Sequence, residues 1–302
     1  MTEHKKINIA VGQWLLLKPI NSAIVVLVAA LMPLFGVGFI GFIVAGVVTG
    51  LVTLQKGVKA GALLLAWAAL PSVALLWLGR VDVLDVVFLQ CVLIWMMACV
   101  LGKYASWQLV FELLVVLAIV AIVSLHLIVP DVHQMWYSEL MKTAERLQQI
   151  TGRSLDVIQL HFKSWAYVAS GMAAAEIMFV VILQLILARA WQSGLYNAGG
   201  FSGEFRQLRM GYVSAGLMLL VIIASGFKWV TAWDLLPVVI FPFFWAGLSL
   251  AHNFIVSLTR KTIGWFILLY AGIVLLWPYI LFVLSLFGLL DVRFNFRKKL
   301  TN

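Results

Sequence analysis

The sequence predicts an all-α, polytopic transmembrane helical bundle, and three observations carry that prediction. Hydrophobic residues make up 64% of the 302 positions, against 11% charged. The apolar residues gather into repeated runs long enough to cross a bilayer, for which a helix rising about 1.5 Å per residue needs about 20 residues. Tryptophans fall at or beside the ends of these runs, at Trp77, Trp107, Trp165, Trp191, Trp229, Trp233 and Trp265, where an amphipathic indole favours the headgroup level. Roughly eight to ten membrane segments in a single integral membrane domain are expected.

In chain order, the N-terminal half (19–129) offers Pro19–Phe35, Val37–Leu54, Val58–Leu78, Leu84–Gly102 and Ser106–Val129 as spans. The C-terminal half (165–302) offers Trp165–Arg189, Gly211–Lys228, Trp233–Leu258 and Thr262–Leu289. Two places bend the simple count. Phe35-Gly36-Val37-Gly38 reads as a bend that is either a loop between spans or re-entrant, and Pro278 is placed to divide the overlong last run. The first eighteen residues hold no long apolar stretch ending in small residues, so no cleaved signal peptide is expected.

Between the halves, residues 130–164 form the one sizeable polar stretch. Trp136, Leu140, Ala144 and Leu147 recur at helical spacing, and Gly152 is placed to stop a first helix. Ser154 is placed to cap a second, whose Leu155, Ile158 and Phe162 share a face. Two amphipathic helices on the extracytoplasmic surface are expected, with a lid over a substrate cavity as the sharper alternative.

Lys and Arg number 21 against 12 Asp and Glu. They are scattered at the ends of apolar runs rather than gathered on one polar face, which speaks for membrane orientation and against nucleic-acid binding. A cytoplasmic N-terminus puts Lys5, Lys6, Lys18, Lys56, Lys59, Lys103, Arg189, Arg206, Arg209, Arg260 and Lys261 on one side, and leaves Arg80 and Lys228 in the opposite short loops. A bacterial inner membrane with a cytoplasmic C-terminus, carrying Arg293, Arg297, Lys298 and Lys299, is the placement this charge pattern predicts.

Polar residues inside apolar runs are costly, and so they are the natural candidates for function. Glu176 lies near the middle of its run and Gln184 two turns further along the same face; Glu112 lies one to two turns into its own. Small residues Ser170, Gly171, Ala174 and Ala175 beside Glu176 suggest that this helix faces inward, just as Gly41, Ala45, Gly46 and Gly50 suggest close packing earlier. His126 with Ser124, and His252 with Asn253, are read first as interhelical hydrogen-bonding groups. The five histidines are too dispersed to suggest a metal centre, and Asp82 with Asp85, beside Arg80, reads as a solvated loop end. Cys91 and Cys99 read as small core residues. Walker, nucleophile-elbow and dinucleotide motifs are lacking, and Gly199-Gly200-Phe201-Ser202-Gly203 reads as a flexible connection. No cofactor is expected, nor an enzyme.

The C-terminal third carries Gly247-Leu248 followed by His252, and ends on Gly288-Leu289-Leu290-Asp291-Val292-Arg293-Phe294-Asn295-Phe296-Arg297-Lys298-Lys299. With Phe205-Arg206-Gln207-Leu208-Arg209, Lys56-Gly57 and Gly61, these resemble a family of bacterial membrane proteins typified by YybS. The resemblance implies a fold distantly similar, in the N-terminal half, to the substrate-binding subunits of energy-coupling-factor vitamin transporters and to the rod-shape protein MreD; it implies no particular reaction. Independently of it, Asp291 beside Arg293 and Arg297 suggests an ion-pair cluster just outside the bilayer, anchoring the tail at the headgroups.

These readings favour a transport or solute-binding component, its cavity lined by Glu176, Gln184, Glu112 and His252, working with a gradient or a partner ATPase. The alternative is a non-transporting scaffold that meets other membrane proteins through its helix faces, the Arg206 and Arg209 loop and the basic tail.

Overall fold

The structure is a computed structural model describing residues 3–77, 85–151, 155–197, 199–227, 229–258 and 262–300. Arg80, Asp82, Gly152, Ser154, Lys228, Arg260 and Lys261 lie outside the described residues, as do the side chains of Lys5, Lys6, Asp85, Leu147, Leu155 and Ile158.

Most of the described residues are helical, with no strand among them. The helices are α1 (Glu3–Leu17), α2 (Pro19–Leu31), α3 (Gly38–Lys56), α4 (Val58–Trp77), α5 (Asp85–Tyr104), α6 (Trp107–Ile128), α7 (Val132–Thr151) and α8 (Leu155–Trp165). They continue with α9 (Ala169–Tyr196), α10 (Gly200–Arg206), α11 (Tyr212–Gly226), α12 (Val230–Leu258), α13 (Ile263–Leu275), α14 (Tyr279–Phe294) and α15 (Phe296–Leu300). Five are long and apolar enough to cross a membrane: α3, most of α5, α6, α9 and α12. The number rises to seven if each of two bent pairs is one span, and Val58–Ala74 and Tyr212–Gly226 are shorter apolar helices. The protein is therefore an all-α membrane bundle.

Each break has a local cause. α2 runs into a 3₁₀ turn, Met32–Phe35, that ends on Gly36 at φ 75°, a left-handed conformation glycine adopts without the Cβ penalty. Thr262–Leu289 divides where expected: α13 and α14 meet at 119° and Pro278 precedes the first residue of α14, since proline supplies no N–H to continue the upstream helix. The polar stretch forms two helices, α7 and α8, as its periodicity requires. One element was not anticipated. α1 meets α2 at 106°, with Lys18-Pro19 at the corner.

The chain divides into two compact units, Met1–Val110 with Ile177–Phe205, and Phe111–Glu176 with Arg206–Asn302. In the first, the small residues of α3 admit neighbouring backbone and polar groups. A Cβ on Gly41 would stand 2.2 Å from the Ala29 carbonyl oxygen, and one on Gly46 would stand 2.3 Å from Gln184 Oε1. Val26, Ala45, Leu51 and Leu64 fill the core between α2, α3 and α4. In the second, α12 is central, with most of its apolar length buried. It crosses α14 backbone to backbone, because Gly247 faces the Leu284 carbonyl and Gly288 faces that of Phe243, each at a distance no Cβ tolerates. Phe111 stacks obliquely on Phe241 and Trp245 in the same core.

Candidate functional site

Glu176 does not face inward. Its side chain is exposed, while Gly171, five residues earlier, packs on the backbone of Asp234. Five residues turn a helix by about 500°, which leaves the two positions about 140° apart. The small-residue face packs, and the carboxylate sits on the other side. Gln184 lies on a third direction of α9, with Met178, Val181, Ile182, Leu185 and Ala188, and is fully buried. It accepts from Gln90 Nε2 at 3.1 Å and donates to the Phe42 carbonyl at 3.1 Å, so it lines no cavity. It ties α3, α5 and α9 together, as buried amides do in membrane bundles. A cavity built on Glu176 and Gln184 is thereby corrected.

Glu112 is half-buried and accepts a hydrogen bond from Ser214 Oγ at 2.8 Å. His252 meets the Tyr270 hydroxyl on α13 at 3.0 Å and lies against the Phe266 ring, in keeping with an interhelical bonding role.

The ion-pair cluster at Asp291 exists, with one member exchanged. Asp291 is fully buried and accepts from Arg297 Nε at 3.0 Å and from the Phe296 backbone N–H at 2.8 Å. Arg293 is exposed. The second arginine is Arg209, which donates to the backbone carbonyls of Asp291 (3.1 Å) and Val292 (2.7 Å). Arg297 also donates to Ser249 Oγ at 3.1 Å and to the carbonyls of Leu208 (2.6 Å), Ala246 (3.2 Å) and Arg206. Its guanidinium therefore closes the end of the second unit by joining α12, α14, α15 and the segment after α10. Burial holds the Arg297 pKa below its ordinary value, opposed only in part by the Asp291 carboxylate. This is an internal lock more than a headgroup anchor.

The most distinctive chemistry lies at the opposite end of α12, among residues the sequence did not bring together. His126 Nε2 donates to Asp234 Oδ2 at 2.8 Å, and the Gly171 backbone N–H donates to Oδ1 at 3.3 Å. The Asp234 carboxylate is fully buried and the His126 side chain is 16% exposed. His133 completes the group: one donor atom each from His126, His133 and Asp234 lie within 4.8 Å of one another. His133 Nε2 is buried and has no hydrogen-bond partner among the described residues.

Local sequence explains the convergence. His126 and His133 are seven residues apart, about 10 Å along an unbroken helix. Pro130 sits in the turn that ends α6, and the Asp131 side chain accepts from the Gln134 N–H at 2.8 Å, capping α7. The chain folds back, and the two imidazoles come to 5.4 Å between ring centroids. Tyr167 packs on the His133 ring at 4.8 Å, and Trp136 Nε1 donates to Ser170 Oγ at 2.9 Å, fixing α7 on the start of α9. Dispersion in sequence was thus a poor guide to dispersion in space. The available signal was an acid just inside an apolar run after Trp233, with a Pro-Asp break between two histidines.

Comparison with known proteins finds no matching family model, no matching curated protein and no matching solved structure.

Proposed function

We propose that this protein is a membrane-embedded binding protein for a divalent first-row transition-metal ion, held by His126, His133 and Asp234. The single observation that carries the reading is the convergence of two imidazoles and a buried carboxylate, with one imidazole nitrogen left unsatisfied. Two nitrogens and one oxygen suit zinc or ferrous iron better than magnesium or calcium, which prefer all-oxygen shells. Ligands about 2.1 Å from a tetrahedral ion stand about 3.4 Å apart. The 2.8 Å His126–Asp234 contact would open and the longer separations, at most 4.8 Å, would close, movements of side-chain scale. Three protein donors leave a coordination position open, the arrangement of sites that exchange a ligand.

This reading keeps a transport or solute-binding component and moves its site from Glu176 to the end of α12. Counting each bent pair as one crossing and adding both shorter apolar helices would make nine segments, inside the expected eight to ten. With a cytoplasmic N-terminus in a bacterial inner membrane, supported by the Lys and Arg asymmetry, the site lies toward the outer face, at the start of α7. A gradient or partner ATPase would drive any movement of the ion.

Equilibrium dialysis of the full-length protein in detergent against zinc tests the binding claim. One zinc per chain is expected, and none in the His126→Ala/His133→Ala double variant; equal zinc in both overturns the claim. Zinc flux into proteoliposomes then separates transport from binding alone.

A second reading has one observation in its favour. Glu176 is exposed about 10 Å along a membrane-spanning helix, where a carboxylate facing lipid is costly and a polar group on another membrane protein would relieve it. Loss of copurifying membrane proteins in Glu176→Gln would support this scaffold role, and unchanged recovery would remove it.

A further inference from the structure

We infer that the corner between α1 and α2, together with the α3–α4 turn, forms a binding site for an anionic phospholipid. The 106° bend at Lys18-Pro19 sends α1 nearly at right angles to α2. If α2 enters the membrane, α1 must lie along its surface, with Val11, Trp14 and Leu17 exposed on it, as an interfacial helix does. The corner is pinned rather than hinged. Asn21 Nδ2 donates across it to the Trp14 carbonyl at 2.6 Å, while Ser22 Oγ donates within the first turn of α2 to the Pro19 carbonyl at 3.0 Å.

Inside the corner lies a groove of about 170 Å³, whose walls include Leu16, Leu17, Val52, Ala60 and Leu63 and whose rim carries Lys18 and Lys56. Both lysines are exposed, and Lys59 follows across the turn at Gly57. An apolar slot that admits a stretch of acyl chain thus opens at headgroup depth between basic side chains. Hydrocarbon alone would fill the slot whatever the headgroup. The lysines select among headgroups, since each cation near a membrane surface favours an anionic lipid by roughly a factor of five. The site belongs to the first unit and does not depend on the metal reading.

The test uses full-length protein reconstituted in vesicles of equimolar phosphatidylglycerol and phosphatidylcholine, re-extracted in mild detergent, with retained lipid counted by mass spectrometry. About tenfold enrichment of phosphatidylglycerol is expected, allowing for the exposure of the two lysines. In Lys18→Gln/Lys56→Gln it falls to near the vesicle ratio, while Leu63→Trp, which fills the slot and keeps both charges, lowers total retained lipid. Wild-type protein retaining both lipids in the vesicle ratio overturns the inference, as does a folded double variant that keeps the enrichment. If the double variant does not fold, Lys56→Gln alone decides, with a drop of at least twofold expected and unchanged enrichment overturning the proposal.

Discussion

Replacing His133 by alanine separates metal binding from the stability of the helix packing around it. His126 and Asp234 are hydrogen-bonded to each other, and the carboxylate is fully buried. Truncating His126 therefore strands a buried charge, which costs about 3–5 kcal/mol in a fully closed site and about 2–3 here, where the imidazole retains some exposure. His133 is different. Its Nε2 has no hydrogen-bond partner among the described residues and its ring packs on His126 and Tyr167, so His133→Ala removes about 1 kcal/mol of ring contact and strands none of the described polar groups. It nevertheless removes one of three ligands. With zinc at about a hundred times its Kd, the folded wild type gains about 2.7 kcal/mol. That raises Tm by about 5–10 °C for a unit of this size. A hundredfold weaker site gains about 0.4 kcal/mol at the same zinc concentration, or about 1–2 °C. The assay is thermal unfolding of detergent-solubilised protein, scanned with zinc and with chelator. A wild type indifferent to zinc, or a His133→Ala variant shifted as far as the wild type, refutes the reasoning.

Other consequences follow from the same contacts. Arg297→Ala leaves Asp291 buried without its closest charge partner and should destabilise by about 3–5 kcal/mol, whereas Arg293→Ala, at an exposed position, should stay within about 0.5 kcal/mol; thermal unfolding of both variants checks the contrast. Gln184→Leu strands the Gln90 amide and the Phe42 carbonyl and should cost about 1–3 kcal/mol, with Gln90→Leu/Gln184→Leu recovering part of the loss in a double-mutant cycle. Gly288→Ala drives a Cβ to 2.1 Å from the Phe243 carbonyl oxygen, so it should separate α12 from α14 and lower the yield of folded protein on gel filtration. Glu176→Gln should leave both Tm and zinc stoichiometry unchanged, because the side chain is exposed and belongs to neither network.

Span boundaries were legible because they rest on one-dimensional quantities: run length, flanking tryptophans and helix breakers. Thr262–Leu289 parted at Pro278, and the polar stretch became two helices because their apolar positions recur at the helical period. Facing directions were less legible. A two-turn spacing suggests one face for Glu176 and Gln184, but eight residues turn a helix by about 80° beyond two full turns, and Glu176 falls outside while Gln184 falls in the core. Long-range pairing was least legible of all. Composition says nothing of the fold-back at Pro130 that brings His133 to His126, nor of α12 delivering Asp234 to both. Asp234 lay at the edge of an apolar run, where an acid reads as interfacial; only the third dimension shows its carboxylate sealed from solvent. In sequence Arg209 is a loop charge, and the fold turns it onto the carbonyls of Asp291 and Val292.

X-ray absorption at the zinc edge of the loaded full-length protein tests the metal site most directly. The account predicts a shell of nitrogen and oxygen near 2.0–2.2 Å with the outer scattering of two imidazoles, reduced to one imidazole in His133→Ala. A sulfur shell near 2.3 Å from Cys91 or Cys99, or an oxygen shell without imidazole, would contradict it.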